Sequence, residues 1–225
     1  DYGWLLARTT IDNSVPRHAS CSEFILDMKS PGIEIRPIIN MVGEHCFNEI
    51  FFNDVRINKK YLVGRENAGF KQIMAQVDFE RAGMERLMQN YPVYKQLIDY
   101  AADLDKKDVG ESFYHFARSA VAQIETEFNV GRLLCYHTAW TIDQGKQPTS
   151  EAAMCKMFCN QFEQRLNDVA MKVLGSVSLI WGDSGWTPFG GELVNSYLWG
   201  PCYTLQGGSV EILKNIIAGR KLRLK

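Results

Sequence analysis

The sequence has almost no surplus of charge and no long apolar run. Its 25 Lys and Arg residues are balanced by 26 Asp and Glu residues, which leaves a formal net charge of −1. A nucleic-acid-binding domain normally carries a basic surface, and a membrane-surface protein carries a polybasic patch. No apolar stretch reaches the roughly 18 residues that a membrane-spanning helix needs. The composition therefore predicts a globular protein with no nucleic-acid partner and no membrane span.

Recognisable metal-binding motifs are also missing. The six Cys residues are irregularly spaced and form no CxxC pair. Cys155 and Cys159 lie one helical turn apart and could in principle share a metal ion, but no Cys or His pair accompanies them in the sequence. We interpret them as small core thiols, predict no metal site, and expect no catalytic role for His115 or His137.

No targeting segment is visible at the N-terminus. The chain begins at Asp1, without an initiating Met, and runs directly into a strand-like sequence. A secretory leader would place a charged segment and an apolar segment before it. We expect a fragment or a processed chain with reduced thiols, located in the cytoplasm, with the mitochondrial matrix as the alternative.

The first sixty residues are typical of short antiparallel strands. Segments rich in β-branched and aromatic residues are separated by Asn, Pro, Gly and Asp turn residues. The predicted strands cover residues 3–10, 23–28, 33–39 and 49–57. Four strands make only part of a sheet, so we interpret residues 1–62 as a partial β-domain.

From about residue 66 onward the apolar residues recur every three or four positions, which indicates helices. We predict one helix over 68–104, capped by Asn67 and kinked at Pro92, and a second over 113–143 capped by Ser112. A third helix is capped by Thr149 or Ser150 and stops at Gly175. Residues 176–200 look irregular apart from a short helix over 192–198, and Ser209 caps a fourth bundle helix. The predicted fold class is α+β, mainly α: a partial antiparallel β-domain followed, over 63–225, by an antiparallel four-helix bundle.

Two segments suggest chemistry. The run Asp78-Phe79-Glu80-Arg81 places carboxylates inside an otherwise apolar helix, where a carboxylate is either solvated or a base that reaches into a pocket. The pair Gly207-Gly208 precedes a capped helix, and such a turn lets a ligand approach exposed N–H groups. Each of these signals alone is weak.

Together these segments resemble the acyl-CoA dehydrogenases. The residues that carry the resemblance are 47–57 with 62–70, the run 78–81, and the closing stretch 207–218, GGSVEILKNIIA. The resemblance implies a flavoenzyme with an N-terminal helical domain, a middle β-domain and a C-terminal bundle, of which this chain matches the end of the β-domain and the bundle. A fragment of this kind is expected to need a companion fragment or subunit to bind flavin well.

The chemistry that the resemblance implies is α,β-desaturation of an acyl-CoA thioester with FAD and an electron-accepting partner protein. Many members carry the base at the position of Gly207, which here has no side chain. A subset carries it on the first long helix just before an Arg, and Glu80 matches that position. Asp78 and Glu85 are the other carboxylates considered. We expect Glu80 to be the base because Phe79 and Ala82 would desolvate it, and because Glu85 should point away from its face.

The resemblance also implies further site residues. For the acyl-CoA substrate these are Asp78, Arg81 and Gly207. For FAD they are Gly208, Ser209 and Glu211, and more weakly Gly175 and Ser176.

Three functions remain open on the sequence. The chain is a catalytic dehydrogenase with Glu80 as base, a non-catalytic partner subunit of a heteromeric dehydrogenase, or a helical interaction module without a ligand. A plain bundle has no need of Gly207-Gly208, which disfavours the third. In the alternative interpretation, Glu80 has no catalytic role and only forms a surface ion pair with Arg81 or Arg65. Apolar residues beyond one helix stripe, and in the aromatic stretch 179–189, predict a homo- or hetero-oligomer, a dimer or tetramer.

Overall fold

The structure, a computed structural model, describes residues 1–182 and 184–224. The chain divides into two compact units, Asp1–Val77 and Asp78–Lys225. The first contains the strands and the second contains most of the helices. Within the described residues, no helix is both long enough and apolar enough to cross a membrane.

The first unit contains two small antiparallel sheets. Strands β1 (Tyr2–Arg8), β2 (Cys21–Asp27) and β5 (Leu62–Val63) form one sheet, and β3 (Ile33–Ile39) and β4 (His45–Phe52) form a hairpin. The four predicted strands are therefore present, but the single predicted sheet is split in two.

The first helix is joined to β2 by polar side chains. Glu23 on β2 is buried, and its carboxylate accepts hydrogen bonds from the Trp4 indole and, at 2.8 Å, from Gln72. Asn67 was predicted to cap this helix. The helix instead begins at Gly69, and the Asn67 side-chain oxygen accepts the hydroxyl groups of Thr9 and Thr10 at 3.0 and 2.9 Å.

Eight α-helices lie in the described part of the chain. They are α1 (Gly69–Glu80), α2 (Glu85–Met88), α3 (Tyr91–Asp103), α4 (Lys106–Val109), α5 (Glu111–Asp143), α6 (Thr149–Leu174), α7 (Glu192–Leu205) and α8 (Val210–Ile216). The mainly helical fold class with small antiparallel sheets is confirmed.

The single helix predicted over 68–104 was wrong in its continuity. The chain leaves helical geometry after Glu80, where Ala82 and Gly83 follow, and glycine disfavours a helix interior. Pro92 does not kink a helix; it occupies the first turn of α3, where the missing N–H costs nothing. The break places Glu80 at the end of one helix and Arg86 in the next.

Helix α6 is the centre of the second unit. It packs against α3, α5, α7 and α8, and its side chains Phe162 and Leu166 are fully buried in one core with Leu97 of α3 and Ile124 of α5. Helix α7 has 14 residues, although we predicted a helix only over 192–198. Helix α8, predicted as the fourth helix of the bundle, has only seven residues. The predicted N-caps of the next two helices also differ from the structure. Helix α5 begins at Glu111, so Ser112 lies inside it, and α6 begins at Thr149, so its N-cap is Pro148.

One carboxylate lies inside this core. Glu163 of α6 is almost completely buried beside Asn90, the residue that precedes α3. Burial raises the pKa of Glu163 to about 8, although the nearby Asn90 acts in the opposite direction. The core therefore accommodates this side chain mainly as the neutral acid at pH 7.

Replacing Glu163 with Gln should flatten the dependence of stability on pH. Because the folded pKa is raised from 4.5, the folded protein binds more protons than the unfolded chain between those two values. Wild-type unfolding free energy should therefore fall between about pH 5 and 8, by up to a few kcal/mol. Urea unfolding at both pH values measures this. The exposed substitution Asp168→Asn is the control, and an unchanged pH dependence in Glu163→Gln would contradict the prediction.

Candidate active site

The candidate site is built around the turn between α7 and α8. Gly207 has φ +67° and Gly208 has φ +109°, a region that L-residues with a side chain rarely adopt. Ser209 then ends the turn, and its hydroxyl oxygen accepts the Ile212 N–H at 3.4 Å, as the N-cap of α8. The predicted role of Ser209 as a cap is confirmed.

Two buried cations hold the carbonyl groups of this turn. Arg81 donates from Nε to the Gly207 carbonyl oxygen at 2.7 Å, and Lys156 donates from Nζ to the Gly208 carbonyl oxygen at 2.6 Å. Arg81 is 6% exposed and Lys156 is 0% exposed. Both carbonyls of the glycine pair are thus bound by charged donors, which make stronger hydrogen bonds than neutral ones.

Glu80 lies against the same turn. A Cβ atom placed on Gly207 would be 3.3 and 3.5 Å from the two Glu80 carboxylate oxygens and 3.4 Å from Nη2 of Arg86. Residue 207 thus has no side chain at a point where a carboxylate from α1 is already present. The structure brings Glu80 and Gly207, which are far apart in sequence, into van der Waals range.

The partner of Glu80 is Arg86, not Arg81 or Arg65. Arg86 donates from Nη2 to the Glu80 carboxylate, and Glu85 lies 3.9 Å from Arg86 Nε. The expectation that Glu85 points away from Glu80 was wrong, because both carboxylates approach the same guanidinium. The Glu80 side chain is 47% exposed, and Phe79 is also exposed, so the expected desolvation by Phe79 is not provided within this chain.

Asp78 is committed to contacts inside the second unit. Its carboxylate accepts hydrogen bonds from Thr149 Oγ1, at the start of α6, at 2.6 Å and from Gln147 Nε2, in the turn between α5 and α6, at 3.0 Å. Arg81 Nη1 lies 3.9 Å away. Asp78 therefore fixes the end of α1 and helps to orient Arg81.

The site is electropositive behind Glu80. Burial lowers the pKa of Arg81 and of Arg86, and for Arg81 the nearby Asp78 partly offsets this effect. Burial, with Arg86 and Arg81, lowers the pKa of Lys156 to about 8. Among the described residues, Arg81 Nη1 and Arg86 Nε are buried donors without a hydrogen-bond partner. Such donors favour an anionic or carbonyl-bearing ligand.

The residues assigned to FAD fall into two separate places. Ser209 and the exposed Glu211 begin α8, where hydrogen bonds from the Glu211 backbone and the Ser209 side chain lower the pKa of Glu211. Gly175, with φ +62°, ends α6 and is followed by the exposed Ser176. The end of α6 is about 28 Å along the helix from Lys156 at 1.5 Å per residue. Ser176 is therefore not brought to the glycine turn.

Sequence reasoning missed Arg86 and Lys156. A visible signal for Arg86 was the repeat of the pair Glu-Arg at 80–81 and at 85–86. The signal for Lys156 was a Lys between two Cys residues in a helix predicted to be buried. Neither signal identifies a partner, because Arg86 reaches Glu80 only where the helix breaks after residue 80, and Lys156 binds a carbonyl 52 residues away.

The cysteines of α6 have a companion that the sequence did not reveal. Cys135 of α5 lies 3.5 Å from Cys155, Sγ to Sγ, and Cys155 lies 4.0 Å from Cys159. The three buried sulfurs lie within 4.8 Å of one another, and no fourth His, Asp or Glu ligand joins them in the described segments. Structural zinc almost always has four ligands, so the cluster does not match a zinc site.

Comparisons with known proteins agree with the fold. IpdE1, an acyl-CoA dehydrogenase of Mycobacterium tuberculosis, is 29% identical over 98% of this chain and 54% of its own length. The solved Tcur3481-Tcur3483 steroid ACAD has a TM-score of 0.86 at 22% identity, over 100% of this chain and 57% of that chain. The ChsE4-ChsE5 complex of M. tuberculosis has a TM-score of 0.84 at 21% identity, over 100% and 57%. The two solved structures support the fold, and the chain spans about half the length of IpdE1.

A family model matches the helical part of the chain. The model of the acyl-CoA dehydrogenase C-terminal domain matches residues 67–222, which include Glu80, Lys156 and the glycine turn. This match covers more than half of the chain, and the chain therefore belongs to the acyl-CoA dehydrogenase family.

Proposed function

We propose that this chain supplies the proton-abstracting part of a flavin-dependent acyl-CoA dehydrogenase, with Glu80 as the catalytic base. One observation carries the proposal. The Glu80 carboxylate lies within 3.5 Å of the place where a side chain on Gly207 would begin. In the family resemblance, Gly207 is the usual position of the base, so a carboxylate from α1 reaches the same location from a different point in the chain.

The residues present are compatible with a flavin. The buried donors Arg81 Nη1 and Arg86 Nε lack hydrogen-bond partners in the part of the chain that the structure describes, and the glycine turn presents backbone without side chains beside Glu80. We assign Gly208, Ser209 and Glu211 to one FAD contact, and Gly175 and Ser176 to a separate one at the far end of α6. A bound FAD would supply the acceptor for the hydride that leaves the β-carbon of the substrate.

The protein's own part of the reaction is the removal of the α-proton. Glu80 would take that proton while Arg86, hydrogen-bonded to the carboxylate, holds it beside the turn. A base must lie within hydrogen-bonding reach of the proton that it removes, and fixed orientation supplies much of the rate. Since Glu80 is 47% exposed, the substrate and the remainder of the enzyme would have to exclude water from it.

We revise the roles of the two neighbouring residues accordingly. Asp78, buried and bound to Thr149 and Gln147, is proposed to position Arg81 instead of touching the substrate. Arg81 and Gly207 line the pocket on the side of the acyl thioester. We propose a soluble electron-accepting protein as the partner that reoxidises the flavin.

A second function is favoured by a separate observation. The solved ChsE4-ChsE5 neighbour is a complex of two proteins. In this alternative the chain is the partner subunit of a heteromeric dehydrogenase and contributes structure without its own base. Flavin absorbance and acyl-CoA-dependent flavin reduction by the complex, tested with changes at Glu80, separate the two functions.

Glu80→Gln should slow flavin reduction by acyl-CoA by at least about 100-fold, the scale expected for a lost general base. The change keeps shape and hydrogen-bonding capacity, so flavin content and acyl-CoA binding should stay near wild type. Anaerobic stopped-flow spectroscopy of the flavin-loaded protein measures the rate. Glu85→Gln is the matched control because Glu85 also contacts Arg86 but lies farther from Gly207. A wild-type rate in Glu80→Gln would favour the partner-subunit function.

Gly208→Val should lower the ratio of flavin to protein. Valine resists φ +109°, and its Cβ would lie 3.0 Å from Arg81 Nη2, so the turn would have to move. Gly145→Val is the control, because Gly145 also has positive φ but has open space around its Cβ position. Absorbance of the purified protein gives the ratio. Equal flavin content in wild type and Gly208→Val would remove the turn from the cofactor site.

We expect the protein to form a dimer or larger oligomer through α5. Leu133, Tyr136 and Trp140 recur at helical spacing and are exposed, as is Phe116 earlier on the same helix. Trp140→Glu should shift the mass towards the monomer by light scattering at micromolar concentration. Gln123→Glu, an exposed polar position on α5, is the control. A monomeric wild type would contradict the expectation.

A further inference from the structure

We propose that Lys156 is a positioning residue for the reaction: through its hydrogen bond to the Gly208 carbonyl, it holds the glycine turn in the conformation that places the substrate beside Glu80. This inference rests on the proposed function for its kinetic consequence. The structural part, that Lys156 determines the geometry of the turn, does not depend on which residue is the base.

The first support is the cost of placing a lysine where Lys156 lies. Its side chain has 0% exposure in the middle of α6, and an ammonium group in such a place is unfavourable unless it is bound. The partner of its Nζ is the Gly208 carbonyl oxygen at 2.6 Å, across from α6. A helix whose neighbouring positions hold Cys155 and Phe162 could bury an apolar residue here more easily. The charge is therefore explained by what it binds.

The second support is the conformation of the turn. Gly207 and Gly208 both have positive φ, a conformation that flexible glycines can leave readily when nothing holds it. Arg81 binds the first carbonyl and Lys156 binds the second. No peptide bond in the described residues is cis, so each bound carbonyl directs the N–H of its own peptide unit the opposite way. Fixing the carbonyls therefore fixes the direction of the Gly208 and Ser209 N–H groups.

The third support is the distance from the turn to the carboxylate. Glu80 and Arg86 lie 3.3–3.5 Å from the Cβ position of Gly207. Movement of the turn by an ångström would change the surface against which a substrate lies beside Glu80. A displacement of this size can cost about 100-fold in rate even when the catalytic group itself is unchanged.

The charge environment of Lys156 gives the proposal a pH signature. Burial and the charges of Arg86 and Arg81 lower the pKa of Lys156 to about 8, while Cys202 of α7 acts in the opposite direction. Above that pH the side chain becomes a neutral amine, which is a weaker donor to the Gly208 carbonyl. The turn should therefore be held less firmly as the pH rises through about 8.

The kinetic test compares Lys156→Met with Lys156→Gln in the flavin-loaded protein. Met has a similar length and no donor, whereas Gln keeps a neutral donor. We expect Lys156→Met to slow flavin reduction at saturating acyl-CoA by about 10- to 100-fold, with a smaller loss in Lys156→Gln. The wild-type rate should decline above about pH 8, and this decline should be absent in Lys156→Met. Lys172→Met, an exposed lysine on the same helix, is the control.

A second measurement separates this proposal from the assignment of Glu80. Hydrogen exchange of the Gly208 and Ser209 amides should be faster in Lys156→Met than in wild type, and unchanged in Glu80→Gln. Faster exchange with a normal Glu80→Gln rate would preserve the role of Lys156 in the turn and reject Glu80 as the base. A folded Lys156→Met protein with wild-type exchange, wild-type rate and wild-type pH profile would overturn the proposal.

Discussion

Two buried cations bound to two consecutive carbonyls are the constraint on which the candidate site depends. Arg81 and Lys156 come from different helices and meet at Gly207 and Gly208. A buried ammonium or guanidinium without a partner is costly, and a glycine pair without a partner is mobile. The cations bind the glycine carbonyls and the carbonyls give the cations a partner, which explains why a lysine is acceptable at the centre of a buried helix.

The same constraint organises the residues around it. Asp78 holds the end of α1 to the turn between α5 and α6, and so fixes the point from which Arg81 extends. The break after Glu80 then lets Arg86 return towards the carboxylate. A continuous helix would place residues 80 and 86 about 9 Å apart along its axis, on faces that differ by more than 100°. The helix break is thus part of the site.

The exposed α5 face and the half-exposed Glu80 lead to one conclusion about assembly. Tyr136 and Trp140 are left in solvent on a long helix, and the proposed base lacks a cover within the chain. A charged base and an apolar helix face both require additional protein surface before they can serve in a dry active site.

The sequence by itself determined the class of elements, because periodicity and turn residues act locally. The strands of the first unit, the long helices α5 and α6, and the Ser209 cap all follow from patterns within a few residues of each other. The closing stretch, the run at 78–81 and the segments 47–57 and 62–70 together indicated the family. Only the tertiary structure decided that α1 ends at Glu80, that α7 extends over Glu192–Leu205, and that Pro92 lies in the first turn of α3.

Only the tertiary structure, likewise, decided the partners of the charged groups. Glu80 contacts Arg86 and Gly207, Asp78 contacts Thr149, and Lys156 contacts Gly208. The hydrogen bonds that join this region connect residues 6 to 126 positions apart in the sequence. Local spacing limits which face of a helix a side chain occupies, but it contains no information about the helix on the other side. The pairing of a buried charge depends on how α1, α6 and the glycine turn pack together, and that packing is the sum of many weak apolar contacts spread over the whole bundle.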